Sequence, residues 1–168
     1  MNLRQATLED ASSLAVLSIE VWADTYLRNG ISPFFADYAL GAFTKEKIED
    51  LLKDSNQLII VSDSADGING YVRVQWNAPA PGEVQSDTEI ATLYVRRLHH
   101  GKGIGQQLIT QVLKDCRARQ VASVWLTVNS ENARAIRFYE KLRFRRAGKT
   151  DFIIEDKAYP NELLALDF

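Results

Sequence analysis

Apolar residues fall first on a helical period and then on an alternating one, and the switch divides the chain. Residues 2–6 read as a short strand. Thr7-Leu8-Glu9-Asp10 follows with capping-box spacing, a hydroxyl at the cap and a carboxylate three residues on that satisfy free helix amides. Leu14, Leu17, Ile19, Val21 and Trp22 then mark an amphipathic helix running to about Tyr26. Pro33 opens a second short helix holding Phe34, Phe35, Tyr38 and Leu40, because its missing N–H costs nothing in a first turn. Thr44 caps a third, with Ile48, Leu51 and Leu52 on one face. From residue 57 the period becomes two. Residues 57–62 (QLIIVS) predict a strand, Asp66-Gly67 a turn and residues 70–76 (GYVRVQW) the next strand, which makes a hairpin. Residues 77–87 carry Pro79 and Pro81 and read as a surface loop. Residues 88–95 (TEIATLYV) form a further strand, followed by a glycine-rich turn and a helix with Ile104, Leu108, Val112, Leu113 and Cys116 on one stripe. Residues 123–128 predict a buried strand, 132–142 a helix, and 152–154 and 163–166 two closing strands. Strands in the middle with helices around them predict an α/β or α+β sheet domain.

Length and composition narrow this picture. The 168 residues suit one domain spanning 1–168, large enough to bury roughly two-thirds of its unfolded surface without a metal or disulfide staple. One cysteine excludes an intramolecular disulfide framework and suits a reducing compartment. No apolar run of about 18 residues predicts a membrane-spanning helix. The polar start Met1-Asn2-Leu3-Arg4-Gln5-Ala6 does not read as a signal peptide, so the expected compartment is the cytoplasm. The net charge of −2 conceals an asymmetry, 6 basic against 14 acidic residues in 1–90 and 14 against 8 in 91–168. That asymmetry suits a polyanion on one side and a cation on the other, and equally two unrelated solvated faces. No basic run is interleaved with aromatics, so no nucleic-acid partner is expected. His99 and His100 are too isolated to predict a metal site.

The sharpest feature is Val95-Arg96-Arg97-Leu98-His99-His100-Gly101-Lys102-Gly103-Ile104-Gly105-Gln106-Gln107-Leu108. A strand ends, glycines alternate with other residues, and an amphipathic helix begins. The first amides of a helix lack intrahelical partners, and the macrodipole adds partial positive charge there. Glycines remove the Cβ atoms that would hold a phosphate away from those amides. Arg96, Arg97 and Lys102 add charge beside them. The segment reads as a pyrophosphate cradle, or as an ordinary tight strand-to-helix turn. The P-loop pattern is absent, because no Gly-Lys-Ser/Thr follows a four-residue spacer. The dinucleotide fingerprint fails too, since Gln106 stands where the last glycine belongs.

His100-Gly101-Lys102-Gly103-Ile104-Gly105 resembles the Q/R-x-x-G-x-G/A signature of the GNAT superfamily of acyl-CoA N-acyltransferases. The resemblance covers nearly the whole chain. Residues 89–95 (EIATLYV) are similar to the family's splayed fourth strand, and residues 126–144 (LTVNSENARAIRFYEKLRF) to its second conserved block. Two departures stand out. His100 replaces the first Gln or Arg, and Arg143 replaces a glycine before Phe144, where a left-handed residue usually ends the helix. The fold this implies is a mixed, mostly antiparallel sheet of six or seven strands, splayed between strands 4 and 5, with helices on both faces.

The resemblance implies acetyl-CoA as co-substrate, no metal, and direct acetyl transfer to a small-molecule primary amine without a covalent acyl-enzyme. The pyrophosphate would lie on the amides from about Gly101 through Lys102, Gly103, Ile104 and Gly105 to Gln106, the pantetheine arm would pair with the backbone of Leu93 and Val95 like an added strand, and His100 and Tyr94 would also belong to the cofactor site. The Leu93 N–H would stabilise oxyanion charge, and Asn132 would reach the pantetheine arm. Glu89 matches the family's general base and Tyr139 the tyrosine that donates to the CoA sulfur. As residue types they read equally as a solvated strand-end carboxylate and a core aromatic. Trp22, Asp24 and Tyr26, with Phe34, Phe35 and Tyr38 behind them, are candidates for the acceptor pocket through cation–π contact and charge pairing. The same aromatics suit a core. The N-terminal half is also similar to the bacterial polyamine acetyltransferase subgroup. The alternatives left open are an amino-acid derivative, an aminoglycoside or a protein N-terminus as acceptor, and a CoA-binding sensor without turnover. Homodimers are common in the family.

Overall fold

The computed structural model describes residues 2–27 and 29–168; Met1 and Arg28 lie outside the described residues. Seven strands hydrogen-bond in the order β1-β2-β3-β4-β5-β7-β6. They are β1 (Asn2–Gln5), β2 (Gln57–Ser64), β3 (Gly67–Gln75), β4 (Glu89–Val95), β5 (Ser123–Asn129), β6 (Arg145–Ile154) and β7 (Lys157–Asp167). Five helices accompany them: α1 (Ala11–Tyr26), α2 (Pro33–Ala42), α3 (Lys45–Lys53), α4 (Ile104–Ala118) and α5 (Ala133–Lys141). The sheet is mixed and mostly antiparallel, with β4 parallel to β5 and helices on both faces. No helix among the described residues is long and apolar enough to cross a membrane.

The chain clusters into two compact units. The first takes the described residues up to Val74 together with Thr92–Lys114. Its core joins Leu14, Leu17 and Ala11 of α1 to Ile48 of α3, Ile59 and Val61 of β2 and Tyr71 of β3. Thr44 Oγ1 accepts from the Lys47 N–H at 3.2 Å, so α3 is capped where the sequence places its cap. Adjacent residues of β3 look to opposite faces. Tyr71 Oη lies 2.7 Å from Ser18 Oγ on α1, whereas a Cβ on Gly70 would stand 3.3 Å from Ile104 Cγ2 on α4. Helices α1 and α4 therefore cover opposite sides of this strand.

Asp10, at the junction of a 3-10 turn and α1, ties the preceding segment together. Its carboxylate accepts the Thr7 N–H at 2.8 Å and both terminal nitrogens of Arg4, at 2.7 and 2.9 Å. Arg4 Nε also donates to Asp63 of β2 at 2.9 Å. Hydrogen bonding from Arg4 holds the Asp10 carboxyl below its ordinary value and the Arg4 guanidinium above its own.

The second unit takes Gln75–Ala91 and Asp115–Phe168. Its register pairs Trp125 with Glu89 on one side and with Ala165 on the other, and runs along β5 and β7 to Asn129 opposite Asn161. Trp125 packs with Leu163 and Ala78, and its Nε1–H donates to the Ala78 carbonyl at 2.8 Å, which holds the loop before β4 on that face. On the other face, Arg146 Nε donates to Glu140 of α5 at 2.9 Å. The closing strands are longer than predicted, Arg145–Ile154 and Lys157–Asp167 against 152–154 and 163–166. Most of β6 is exposed and polar, so it lacks the apolar alternation that marks a half-buried strand; its pairing with β7 makes it one.

Because the Asp10 pKa is depressed on folding, its contribution is present above the ordinary value of 3.8 and is lost as pH falls through the lower folded value. Asp10→Asn is expected to cost about 1–2 kcal/mol at pH 7 in urea unfolding. The gap to the parent should close as the pH drops below 3.8; a gap independent of pH would assign the loss to packing.

Candidate functional site

In the first unit, β4 ends at Val95 and a short 3-10 turn, Arg97–His99, leads into the glycine segment. Gly101 and Gly103 both have φ of +79°, a left-handed conformation that side chains with a Cβ rarely adopt. No heavy atom would lie within 4 Å of a Cβ on Gly101, and on Gly103 only Gln107 Nε2, at 3.9 Å. Backbone geometry, rather than crowding, selects glycine here, and the space above the turn stays open. The Gln107 N–H donates to the Gly103 carbonyl at 3.0 Å and so begins the α4 ladder. The amides of Ile104, Gly105 and Gln106 precede that ladder. Ile104 is buried, anchoring the first turn, while Gly101, Lys102, Gly103 and Gln106 are exposed. An open groove of about 520 Å³ starts at Gly103 and follows Gln106, Gln107, Thr110, Gln111 and Lys114 along α4, with Leu3 at its edge.

The positive charge expected around this turn is reduced. Arg96 Nε donates to Glu20 at 2.9 and 3.1 Å, and Arg97 reaches Asp24 at 3.5 Å, so both arginines engage carboxylates of α1. Lys102 is exposed in the turn itself. His100 Nε2 stands 2.8 Å from the Val95 carbonyl, tying the turn back to the end of β4. The tie gives His100 a structural task at the position where the signature carries Gln or Arg.

Trp22 is 3% exposed and belongs to an aromatic cluster with Tyr26, Tyr38, Phe35 and Phe43 at centroid distances of 4.8, 5.1, 5.8 and 6.4 Å. Its ring faces other rings. Tyr26 and Tyr38 lie at the margin of this cluster, and desolvation together with proximity to Tyr26 raises the Tyr38 phenol. Tyr94 of β4 crosses Tyr71 of β3 at 5.7 Å and its phenol is pushed well above the ordinary range, first by burial and then by Tyr71, Tyr26 and Tyr38. Four phenols thus gather on the α1 side of the first unit. Tyr71 was not singled out from the sequence, although its alternate placement in GYVRVQW carried the signal.

The second unit holds the remaining candidates. Glu89 is the first residue of β4 and half-buried; its pairing with Trp125 places its side chain on Trp125's face of the sheet. Asn132 caps α5, with Oδ1 accepting the Ala135 N–H at 3.1 Å. Seven residues on, Tyr139 is 8% exposed and wedged between Phe138 and Phe144, at 5.1 and 5.5 Å. Burial alone raises its phenol above the ordinary value, so the hydroxyl is protonated at neutral pH. The helix ends in a Schellman motif: Phe144 N–H donates to the Tyr139 carbonyl at 3.1 Å and Arg143 N–H to that of Glu140 at 2.9 Å. Arg143 has φ of +70°, the left-handed position expected for glycine. The Phe144 ring that packs on Tyr139 is thereby fixed by a turn one residue long. Cys116 is buried on the α4 stripe, which pushes its thiol up to about 11.

Residues 20–144 match the model of the acetyltransferase (GNAT) family. The chain is 38% identical over 66 residues to an uncharacterized N-acetyltransferase of Mycobacterium tuberculosis (strain ATCC 25618 / H37Rv), over 39% of this chain and 42% of that protein. It is 29% identical over 111 residues to the streptothricin acetyltransferase of Streptomyces lavendulae, over 66% of this chain and 56% of that one. The matched stretch therefore spans less than two-thirds of these relatives' own length. Among solved structures, the PaiA N-acetyltransferase from Thermoplasma acidophilum in complex with coenzyme A aligns with a TM-score of 0.76 at 17% identity, over 99% of this chain and 98% of that one. The smu.2055 protein of Streptococcus mutans UA159 aligns with a TM-score of 0.76 at 22% identity, over 99% of both chains. These similarities identify the fold.

A left-handed residue bearing a Cβ costs about 1–2 kcal/mol, part of which glycine returns through its greater unfolded-state entropy. Arg143→Gly is expected to raise stability by up to about 1 kcal/mol in urea unfolding. Arg143→Val should lower it; equal stability of the two variants would mean that the turn relaxes freely.

Proposed function

Because the chain belongs to the acetyltransferase (GNAT) family, we propose that residues 1–168 form one acetyltransferase domain, acting in the cytoplasm, that moves an acetyl group from acetyl-CoA directly to a primary amine. A small diamine or polyamine is the acceptor this reading favours. The observation that carries it is the β4–α4 turn, where two left-handed glycines leave the amides before the α4 ladder beneath open space. A Cβ at either glycine would intrude on the approach of a diphosphate to those amides. The groove beginning at Gly103 has room for the nucleotide end of the co-substrate. Acetyl-CoA supplies the acyl thioester; the residues named below bind it and move protons.

The amides of residues 101–106 hold the pyrophosphate, and the backbone of Leu93, Tyr94 and Val95 pairs with the pantetheine arm as a neighbouring strand would. The Leu93 N–H takes up negative charge developing on the thioester carbonyl oxygen. A primary amine has a pKa of about 10.4 in water and is mostly protonated at neutral pH, so it cannot attack until a base removes a proton. Glu89 has that role, directly or through a water. Tyr139 gives its proton to the departing thiolate; its phenol is protonated at neutral pH, and burial makes it a weaker acid than a free tyrosine. Asn132 presents its amide toward the pantetheine arm while its Oδ1 caps α5. Trp22, Asp24 and Tyr26 border the acceptor, with Trp22 and Tyr26 packed ring to ring and Asp24 paired with Arg97.

The test is release of free thiol from acetyl-CoA across a panel of diamines, amino-acid derivatives, aminoglycosides and N-terminal peptides, with calorimetry of acetyl-CoA in parallel. Binding without turnover of any acceptor would make the protein a CoA-binding module, and absence of binding would end the reading. Tyr139→Phe is expected to lower kcat by about 10²-fold or more while acetyl-CoA affinity changes little. Full activity in that variant would remove Tyr139 from the chemistry. For Glu89→Gln, the expected result is a large loss of kcat/KM at neutral pH that is partly recovered at high pH, where free amine accumulates. A defect of equal size at all pH values would make Glu89 structural.

A further inference from the structure

Within the first unit, two residues that the sequence offers to different substrates hold each other instead. Arg97 precedes the glycine turn and reads as charge for the co-substrate's phosphates, whereas Asp24 reads as charge for the acceptor. In the fold, Arg97 Nη1 lies 3.5 Å from Asp24 Oδ1. The neighbouring pair sets the scale. Arg96 Nε donates to both oxygens of Glu20 at 2.9 and 3.1 Å, with side chains 40% and 38% exposed. The Arg97–Asp24 contact is single and longer, and its side chains are 78% and 44% exposed. Glu20 and Asp24 stand one turn apart on α1, so consecutive arginines reach successive turns of one helix, the first firmly and the second loosely.

An exposed pair of this kind separates at little cost, because water replaces most of what the partners lose. Arg97 is also placed to turn the other way. Its carbonyl accepts the His100 N–H at 3.1 Å, and such a turn brings the Arg97 Cα within about 7 Å of that of His100, the residue before Gly101. From there a long, flexible side chain can reach α1 or the space above Gly101, where no heavy atom would lie within 4 Å of a Cβ. The turn itself need not move, since His100 Nε2 ties it to the Val95 carbonyl at 2.8 Å. A phosphate offers the guanidinium a bidentate partner, which the single contact with Asp24 does not.

We propose that Arg97 is an exchangeable cation that couples the two substrate sites: it neutralises Asp24 in the free protein and passes to a phosphate of acetyl-CoA on binding, which leaves the Asp24 carboxylate available to a cationic acceptor. This rests on the acetyl-transfer reading and adds regulation to its site. Arg96 and Glu20 stay paired and hold α1 against the end of β4. Each substrate then favours the other, because an anion at the turn removes the partner of Asp24 and a cation at Asp24 removes the partner of Arg97. Only hydrogen bonds and ion pairs change hands; no covalent bond forms and no proton moves.

The experiment is a double-mutant cycle on CoA affinity, measured by calorimetry in the parent, Asp24→Asn, Arg97→Gln and the double variant. Asp24→Asn removes the competitor for Arg97 and is expected to tighten CoA binding about two- to fivefold. Arg97→Gln should weaken it, and in that background Asp24→Asn should lose most of its effect. Two charges fixed in place would act additively, giving the same Asp24→Asn gain with or without Arg97; that result, or no gain in the single variant, overturns the proposal. The cycle repeated with 3′-dephospho-CoA distinguishes the phosphates: coupling that persists assigns the diphosphate as the group that takes Arg97, and coupling that vanishes assigns the ribose phosphate. As a direct readout, the NMR resonance of the Asp24 carboxyl carbon should move when CoA is added to the parent and stay in place in Arg97→Gln; equal shifts in both count against the exchange. A parent that binds no CoA overturns the acetyl-transfer reading and this proposal with it, whereas CoA binding with additive effects removes the exchange alone.

Discussion

A helix that begins at the end of a strand must leave its first amides without backbone partners, and the candidate site depends on that constraint. At the β4–α4 junction Gly101 and Gly103 take left-handed backbone and carry no side chain, and Ile104 anchors the first turn in the core. Ser32, Thr44 and Asn132 accept amides at the starts of α2, α3 and α5, whereas α1 runs on from a 3-10 turn with no side-chain cap. At the start of α4 the two preceding glycines leave open space where a Cβ would stand.

Charge follows the same division. Arginines that look available in the sequence are committed in the fold: Arg4 to Asp10 and Asp63, Arg96 to Glu20, Arg97 to Asp24, Arg146 to Glu140. In the proposed cradle, affinity for an anion would rest on oriented backbone dipoles and on Lys102, more than on a patch of guanidinium groups. Most of these pairs are partly exposed and individually contribute little to stability. Arg4–Asp10 differs, because the carboxylate is mostly buried and receives several hydrogen bonds at once.

Tyr139 shows how local rules and burial combine. The Schellman turn that ends α5 places Phe144 against the ring, and the left-handed Arg143 bears the strain that makes the turn possible. Burial then raises the phenol and fixes its protonation state. Strain at one residue and desolvation at another set the chemistry open to a single hydroxyl.

Periodicity and capping chemistry made α1, α2, α3, α4 and the central strands readable, since amphipathic stripes and caps such as Pro33 and Thr44 are local properties of the chain. The glycine turn was readable for the same reason: left-handed backbone at Gly101 and Gly103 is a local steric matter. Arg143 stands out only through the family resemblance, which expects a glycine before Phe144, and its left-handed backbone comes from the structure. The length of β6 was not readable, because its polar, exposed residues become a strand only by pairing with β7. Nor was the neutralisation of Arg96 and Arg97 by α1, or the packing of Trp22 among rings. Each of these depends on residues far apart in sequence being brought within a few ångströms, and hydrogen bonds, desolvation and Coulomb attraction act only over such distances.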